Sequence, residues 1–247
     1  REGFRLDGRR LKPCHIEVVD KQGNPWLKVT LTEGKNQQIR REVEKMSRDA
    51  GLARIRVHTH DCKADQFRDL GRTTRGTQVL ANVLAEDADV FVVVSDVKVH
   101  YFAGYSNPVK NFLPGISAFR TVEQNHSLAL LEESTYGTHP WHPDPACRDN
   151  PLAQDMVEGM DLMTKGRPVY ALVMISTAAK LNWARFGPVQ EVTAESFRMT
   201  DEKNIRAVTP APRLIVSPGG LSNDEDLYTA QRALELTKVA VQDGGEV

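Results

Sequence analysis

Short apolar, β-rich runs alternate with helix-like stretches along this chain, and this alternation constrains its fold more than any other feature. The runs are VFVVVSD at residues 90–96, YALVMIS at 170–176 and RLIVSPGG at 213–220. The helix-like stretches are NPLAQDMVEGMDLM at 150–163 and EDLYTAQRALELTKVAV at 225–241. We therefore predict an α/β fold, with a largely parallel sheet flanked by helices.

The sequence also suggests how the chain is divided. Pro210 and Pro212 stand just before the last apolar run, where we predict the crossing into a second, truncated α/β domain. The pattern changes again near residue 50. We predict an N-terminal piece at 1–50, an incomplete catalytic domain at 51–208 and the start of a C-terminal domain at 209–247.

Bulk composition excludes several classes of partner. A formal net charge of −1 gives no general attraction to DNA, to other nucleic acids or to a membrane surface. The sequence contains no run of eighteen apolar residues, so we expect no membrane partner. Cys14, Cys62 and Cys147 are odd in number and lack CxxC spacing, which argues against a zinc site and favours a reduced compartment. We expect a cytoplasmic protein.

The segment HYFAGYSNPVKNFLPGISAFRTVEQNH, from His100 to His126, concentrates residues that carry chemistry. It places two histidines and Lys110 at a strand end, in a Gly/Pro-rich turn and near the end of a short helix. Such positions gather ligand-handling groups in α/β proteins. The structural alternative is a strand-capping His100, a solvated Lys110 and a His126 that is favoured by the helix dipole.

This segment resembles the nickel-dependent lactate racemase family, whose pattern is a His, an AGFSGG-type loop that ends in Lys, then LPG, then Asn-His. The matching elements here are His100, Ala103-Gly104-Tyr105-Ser106, Lys110, Leu113-Pro114-Gly115 and Asn125-His126. The spacings fit without a gap, and the resemblance extends over about residues 53–247. In one departure, Asn107-Pro108 replaces the usual Gly-Gly, which removes a backbone N–H and two φ-permissive positions from the loop.

The resemblance implies a racemase or epimerase of 2-hydroxy acids that transfers hydride through a nickel pincer nucleotide, pyridinium-3-thioamide-5-thiocarboxylate mononucleotide. Lys110 would be its covalent attachment point, which requires an amine that can lose its proton. His126 would be the protein ligand to nickel, and His100 would be one of two acid/base histidines. Thr229 and Arg232, in an imperfect match to the family's Tyr-Gln-Ala-x-Lys, would contact the cofactor.

The resemblance is incomplete. The family's second acid/base histidine lies in a GTHRP-like motif upstream of the matched part. Residues 137–140, GTHP, share letters with that motif but follow Lys110, so the missing role is assigned neither to His139 nor to His58 or His60. His139 and His142 lie in a Pro-rich loop and could join the site, but such residues are more often ordinary polar residues of a turn. We expect this chain alone not to racemise.

Residues 3–46 resemble something else, the late catalytic-domain segment of small-subunit-type RNA pseudouridine synthases, in which a strand runs into EGKNRQVRR and a helix. Here LKVTLT predicts a strand, and Lys35, Arg40 and Arg41 cluster where a helix would begin. The cluster is either a solvated helix face or a phosphate-binding site, so RNA is a partner only under this alternative. We expect a fragment, joined near residue 50 by gene fusion or by an assembly artefact.

Overall fold

The computed structural model describes residues 58–177, 180–220, 223–224 and 226–247, together with the backbone of four strands that precede them. Those strands form two antiparallel pairs. They are β1 (Arg5–Leu6), β2 (Arg9–Arg10), β3 (His15–Lys21) and β4 (Asn24–Thr30). Strand β4 overlaps the strand predicted at LKVTLT, whereas the predicted basic helix lies outside the described residues.

Contacts divide the chain into Arg1–Thr59 and His60–Val247. The remaining description concerns the second unit. The domain boundaries predicted at residues 50 and 208 remain predictions.

A three-stranded sheet forms the centre of this unit. Its strands are β7 (Phe91–Asp96), β10 (Val169–Thr177) and β11 (Lys180–Pro188), in the order β11-β10-β7. Strand β10 runs parallel to β7, with Val169 opposite Phe91, and forms an antiparallel hairpin with β11. The two apolar runs at 90–96 and 170–176 are therefore strands, as predicted, and the predicted α/β class is confirmed.

The other described elements surround this sheet. The strand pairs are antiparallel β5 (Phe67–Arg72) with β6 (Gln78–Asn82), antiparallel β8 (Lys98–His100) with β9 (Gly104–Ser106), and parallel β12 (Ala211–Arg213) with β13 (Val241–Glu246). The α-helices are α1 (Phe119–Ser127), α2 (Pro151–Thr164), α3 (Val189–Asn204) and α4 (Leu227–Thr237).

The core lies on one face of the sheet. Alternate strand residues such as Val93, Ala171 and Val173 point to this face and are almost fully buried, as the two-residue period of a strand requires. Helices α2 and α3 supply facing side chains, including Met156 and Phe197. This packing fixes the end of β7 and, beyond it, the hairpin that carries His100.

Helix α2 falls on the helix-like stretch predicted at residues 150–163. The Asn150 side chain accepts a hydrogen bond from the Ala153 N–H, and Pro151 occupies the first turn, where a missing N–H costs nothing. At the other end Lys165 adopts a left-handed conformation, with φ of 52°.

The strand predicted at RLIVSPGG is wrong beyond Arg213. Pairing with β13 stops after the Leu214 N–H donates to the Glu246 carbonyl, and Ile215 is 98% exposed. Pro218 and two glycines with positive φ follow, and these residues favour a turn over a strand.

Two further observations bear on the predicted environment. No helix among the described residues is both long and apolar enough to span a membrane. Cys62 and Cys147 are free thiols.

Candidate functional site

His100 is the last residue of β8 and pairs with Gly104 across a tight hairpin. Gly104 has a φ of +72°, and a Cβ there would lie 1.6 Å from the Thr138 carbonyl oxygen, so only glycine fits. The Ala103 N–H donates to Nδ1 of His100 at 3.3 Å. A neutral His100 therefore carries its proton on Nε2.

Lys110 lies in a short 3-10 helix at Pro108–Asn111. Asn107 organises this turn, since its Oδ1 accepts from the Val109 N–H at 2.9 Å and its amide donates to the Tyr105 carbonyl at 3.0 Å. Pro108 fits the first helical position. The Asn-Pro departure thus replaces glycine flexibility with a capped turn that presents Lys110.

His126 lies in the last turn of α1. The neighbouring Asn125 is fully buried and donates to the Asp155 carboxylate at 2.9 Å, which anchors this end of the helix to α2. Nδ1 of His126 is buried and has no hydrogen-bond partner. The imidazole is therefore held by packing, with a polar atom left unsatisfied.

The ring of Phe102 brings the three predicted residues together. Its centroid lies 4.5 Å from that of His100 and 5.4 Å from that of His126, both edge to face, and 5.8 Å from Nζ of Lys110. Because both distances are measured from the Phe102 ring centroid, the His126 ring centroid and Nζ of Lys110 are at most about 11 Å apart. The sequence analysis did not identify Phe102 as a site residue. The one feature that could have indicated it is that Phe102 lies two residues after His100.

Burial lowers the pKa of all three groups. It lowers the pKa of His100 to about 3, helped by the charges of Lys110, Arg232 and His126. Burial, followed by the charge of Arg232, lowers the pKa of Lys110 to about 8. The pKa of His126 is also lowered by burial and by Lys110, and the Val122 carbonyl only partly opposes this. The cluster thus combines two imidazoles whose neutral form is favoured with an amine that loses its proton more readily than an ordinary lysine.

The two other predicted cofactor contacts have different surroundings. Arg232, on α4, is close enough for its charge to lower the pKa of both His100 and Lys110. Thr229 lies in the first turn of α4, where its N–H donates to the Asp226 carboxylate at 2.6 Å. Asp226 caps this helix, so a carboxylate already occupies the position at which an anion would meet Thr229.

His139 and His142 lie in the predicted loop, and both are buried. Nε2 of His142 lies 2.9 Å from the Asp201 carboxylate, which also accepts a 2.6 Å hydrogen bond from the Tyr105 hydroxyl. Tyr105 stacks on Phe197, with ring centroids 4.1 Å apart. This network ties the hairpin that carries His100 to α3. The Pro-rich sequence around His139 and His142 did not indicate that these histidines are buried.

No group of three or more histidine, cysteine or acidic side chains suited to a metal ion occurs in the described part of the chain. On the protein side, the predicted nickel site rests on His126. The residues behind the RNA alternative lie outside the described ranges.

Comparison with known proteins supports the resemblance found in the sequence. Residues 27–138 match the family model of the lactate racemase N-terminal domain. This match begins inside the segment compared above with pseudouridine synthases, and the comparisons give no support to the RNA alternative.

Two relatives are lactate racemases. The protein of Thermoanaerobacterium thermosaccharolyticum is 26% identical over 190 residues, which are 76% of this chain and 42% of the relative. The protein of Lactiplantibacillus plantarum is 21% identical over 178 residues, 72% of this chain and 40% of the relative.

A solved structure shares the fold. The lactate racemase apoprotein of T. thermosaccharolyticum superposes with a TM-score of 0.71 at 21% identity, covering 82% of this chain and 48% of that one. The chain thus spans less than half the length of these relatives.

Proposed function

We propose that this relative of the lactate racemases carries the cofactor-holding and proton-handling part of a 2-hydroxy-acid racemase or epimerase that uses a nickel pincer nucleotide. The observation that carries the proposal is the convergence of His100, Lys110 and His126 on the ring of Phe102. When bound, the cofactor would supply the acceptor and donor for hydride from the hydroxyl-bearing carbon.

The lysine and the metal-ligand candidate have the properties that this cofactor requires. With a pKa of about 8, Lys110 is neutral in about a tenth of molecules at pH 7, which favours its use in covalent attachment. Burial lowers the pKa of His126 and so favours its neutral form, whose ring offers a nitrogen lone pair to a borderline metal. Lys110 would hold the covalent link, and His126 would ligate nickel.

The hydrogen bonding of His100 would let it handle the substrate's hydroxyl proton once substrate binding raises its pKa from about 3, because a general base needs a pKa near the working pH. The Ala103 N–H occupies its Nδ1 and fixes the tautomer, which leaves Nε2 as the atom that gives and takes the proton. Its edge-to-face contact with Phe102 holds the ring in orientation.

Positive charge at the cluster supports an anionic substrate class. The charge of Arg232 reaches both His100 and Lys110. In a chain whose formal net charge is −1, this local excess of cations favours a carboxylate at this position. A small 2-hydroxy acid has such a carboxylate beside the carbon to be inverted.

The chain alone is expected to leave lactate enantiomers unchanged. Inversion needs a proton-handling group on each face of the planar intermediate, and only His100 matches the family's pattern. His139 is 1% exposed and packs against Trp141 and Phe197, which makes it unsuited to the second role. The loss of one general acid/base costs roughly 10²–10⁴-fold in rate.

Nickel loading tests the proposal without requiring turnover. The purified chain is incubated with the mature nickel pincer nucleotide, desalted and analysed for bound nickel. We expect stoichiometric nickel in the wild type and almost none in His126→Ala. His60→Gln is the matched control, because His60 bonds to the Ser117 carbonyl away from the cluster, and it should load normally. A wild type that retains no nickel, or a His126→Ala variant that loads fully, would contradict the proposal.

A further inference from the structure

A cavity of about 410 Å³ lies where the ends of α3 and α4 meet strand β8. Val99 lines it from β8, residues within 204–208 line it from the end of α3, and residues within 236–240 line it from the end of α4. Its volume falls within the range of small-molecule pockets, which is about 300–1,000 Å³. The cavity is therefore large enough to hold a small organic ligand.

This cavity is separate from the cluster around Phe102. Val99 and His100 are consecutive residues of β8, and the side chains of a strand alternate between its two faces. Because Val99 lines the cavity, the imidazole of His100 points to the other side of the strand. His100, Lys110 and His126 are not among the lining residues.

Most of the cavity lining is apolar. The apolar side chains come from Val99, Ile205, Val208, Leu236, Val239 and Ala240. Two neutral polar groups join them, the hydroxyl of Tyr136 and the carboxamide of Asn204, and neither forms a hydrogen bond with another described residue. An apolar cavity with a few converging polar groups is the usual form of a small-molecule site.

Arg206 is the one charged residue among those that line the cavity. Its Nη1 donates to the Glu202 carbonyl at 3.1 Å and to the Ile205 carbonyl at 2.8 Å. These two bonds hold the guanidinium against the end of α3. The Nε–Nη2 edge takes part in neither bond, so it can pair with a ligand.

The neighbouring carboxylates already have cationic partners. Glu202 pairs with Arg198 at 2.7 Å, and Glu235 pairs with Lys238 at 2.9 Å. Among the described residues, Arg206 takes part in no ion pair. The cavity therefore combines an apolar lining with a single positive charge that no described carboxylate neutralises.

We propose that this cavity binds a small monocarboxylate with an apolar body, and that Arg206 pairs with the carboxylate. The Nε–Nη2 edge of a guanidinium offers two parallel N–H groups that match the two oxygens of a carboxylate. The aliphatic side chains cover the apolar body of the ligand. One cation matches one negative charge, so a dianion such as a phosphate ester is disfavoured.

This inference goes beyond the proposed function, because it involves neither nickel nor Lys110. Failure of nickel loading would leave binding at Arg206 unaffected. Failure of binding at Arg206 would equally leave nickel loading by His126 open to measurement.

The test is an NMR titration of the full chain with 3-phenylpropanoate, a carboxylate with an apolar body. The backbone amides of residues 204–208 and 236–240 should shift saturably, with a dissociation constant of at most about 10 mM for a ligand of this size. The neutral analogue 3-phenylpropan-1-ol lacks the carboxylate and should bind at least about tenfold more weakly. This comparison uses the unaltered chain and does not depend on a variant folding.

Arg206→Gln should also bind 3-phenylpropanoate at least about tenfold more weakly. Arg68→Gln is the matched control, because Arg68 is an exposed arginine on β5 that pairs with Glu86, and it should bind like the wild type. The amide spectrum of each variant reports whether it is folded. The proposal is overturned if the shifts do not saturate or lie elsewhere, if the acid and the alcohol bind equally, or if folded Arg206→Gln binds like the wild type.

Discussion

Phe102 and His126 meet edge to face, with ring centroids 5.4 Å apart and ring planes inclined by 74°. This contact joins the hairpin that carries His100 to the helix that carries His126. Phe102 therefore sets the position of the His100 ring relative to the His126 ring.

Replacing Phe102 with leucine should loosen this arrangement. The side chain stays apolar, but the edge-to-face contacts with both histidines, worth about 0.5–1.5 kcal/mol each, are lost. We expect denaturant unfolding to show a decrease of roughly 1–2 kcal/mol in the free energy of unfolding, together with weaker nickel retention. Phe186→Leu, at a ring that is 56% exposed, is the comparison and should cost less. Equal costs would argue against a special role for Phe102.

Lys110 should titrate well below an ordinary lysine. Burial and the charge of Arg232 lower its pKa to about 8, so site-resolved amine labelling should reach half its maximal rate near that pH. Removing a neighbouring positive charge favours the ammonium form, and Arg232→Gln should therefore move the midpoint upward. A labelling midpoint near pH 10.5 in the wild type, or the same midpoint in wild type and Arg232→Gln, would contradict the lowering of the Lys110 pKa by burial and by Arg232.

His100 should make the protein sensitive to acid. Its pKa is about 3 in the folded chain but near 6.5 when unfolded, so below pH 6.5 the unfolded state binds a proton that the folded state refuses. Stability is then lost as the pH falls from 6.5 toward 3, by up to roughly 1 kcal/mol per pH unit. In His100→Gln the free energy of unfolding should fall less steeply over this range. Parallel curves for the two proteins would contradict the assignment.

The hydroxyl of Tyr105 should contribute to stability through Asp201. Tyr105→Phe removes a 2.6 Å hydrogen bond from a buried group and leaves the carboxylate with His142 alone. Loss of such a bond costs roughly 1–3 kcal/mol in the free energy of unfolding. Tyr170→Phe, on the exposed sheet face, should change it by much less. Chemical denaturation of Tyr105→Phe and Tyr170→Phe measures both free energies of unfolding. Equal decreases in the two variants would show that the hydrogen bond to Asp201 does not contribute to stability.

Much of the fold followed from local pattern. Continuous apolar runs gave β7 and β10, and the helix-like stretch at residues 150–163 gave α2. The run at residues 213–220 failed because a strand needs a pairing partner, and β13 pairs only as far as Leu214. Propensity within a segment carries no information about whether a neighbouring strand reaches it.

The site was less predictable than the fold. The spacing of His100, Lys110 and His126 predicted that they meet, because one turn joins their elements. Phe102 was missed since an aromatic residue in a hairpin more often serves packing than a site. The burial of His139 and His142 was also missed, because it depends on α3, far along the sequence, where Phe197 packs against both rings and Asp201 bonds to His142.

The central claim is that Lys110 holds a nickel pincer nucleotide covalently, and peptide mass spectrometry tests it most directly. After incubation of the chain with the mature cofactor and proteolysis, we predict an adduct on the peptide that contains Lys110. The adduct should be absent in Lys110→Arg and unchanged in Lys98→Arg, at an exposed lysine paired with Asp96. Absence of an adduct from Lys110 in the wild type, or its appearance on another lysine, would contradict the account.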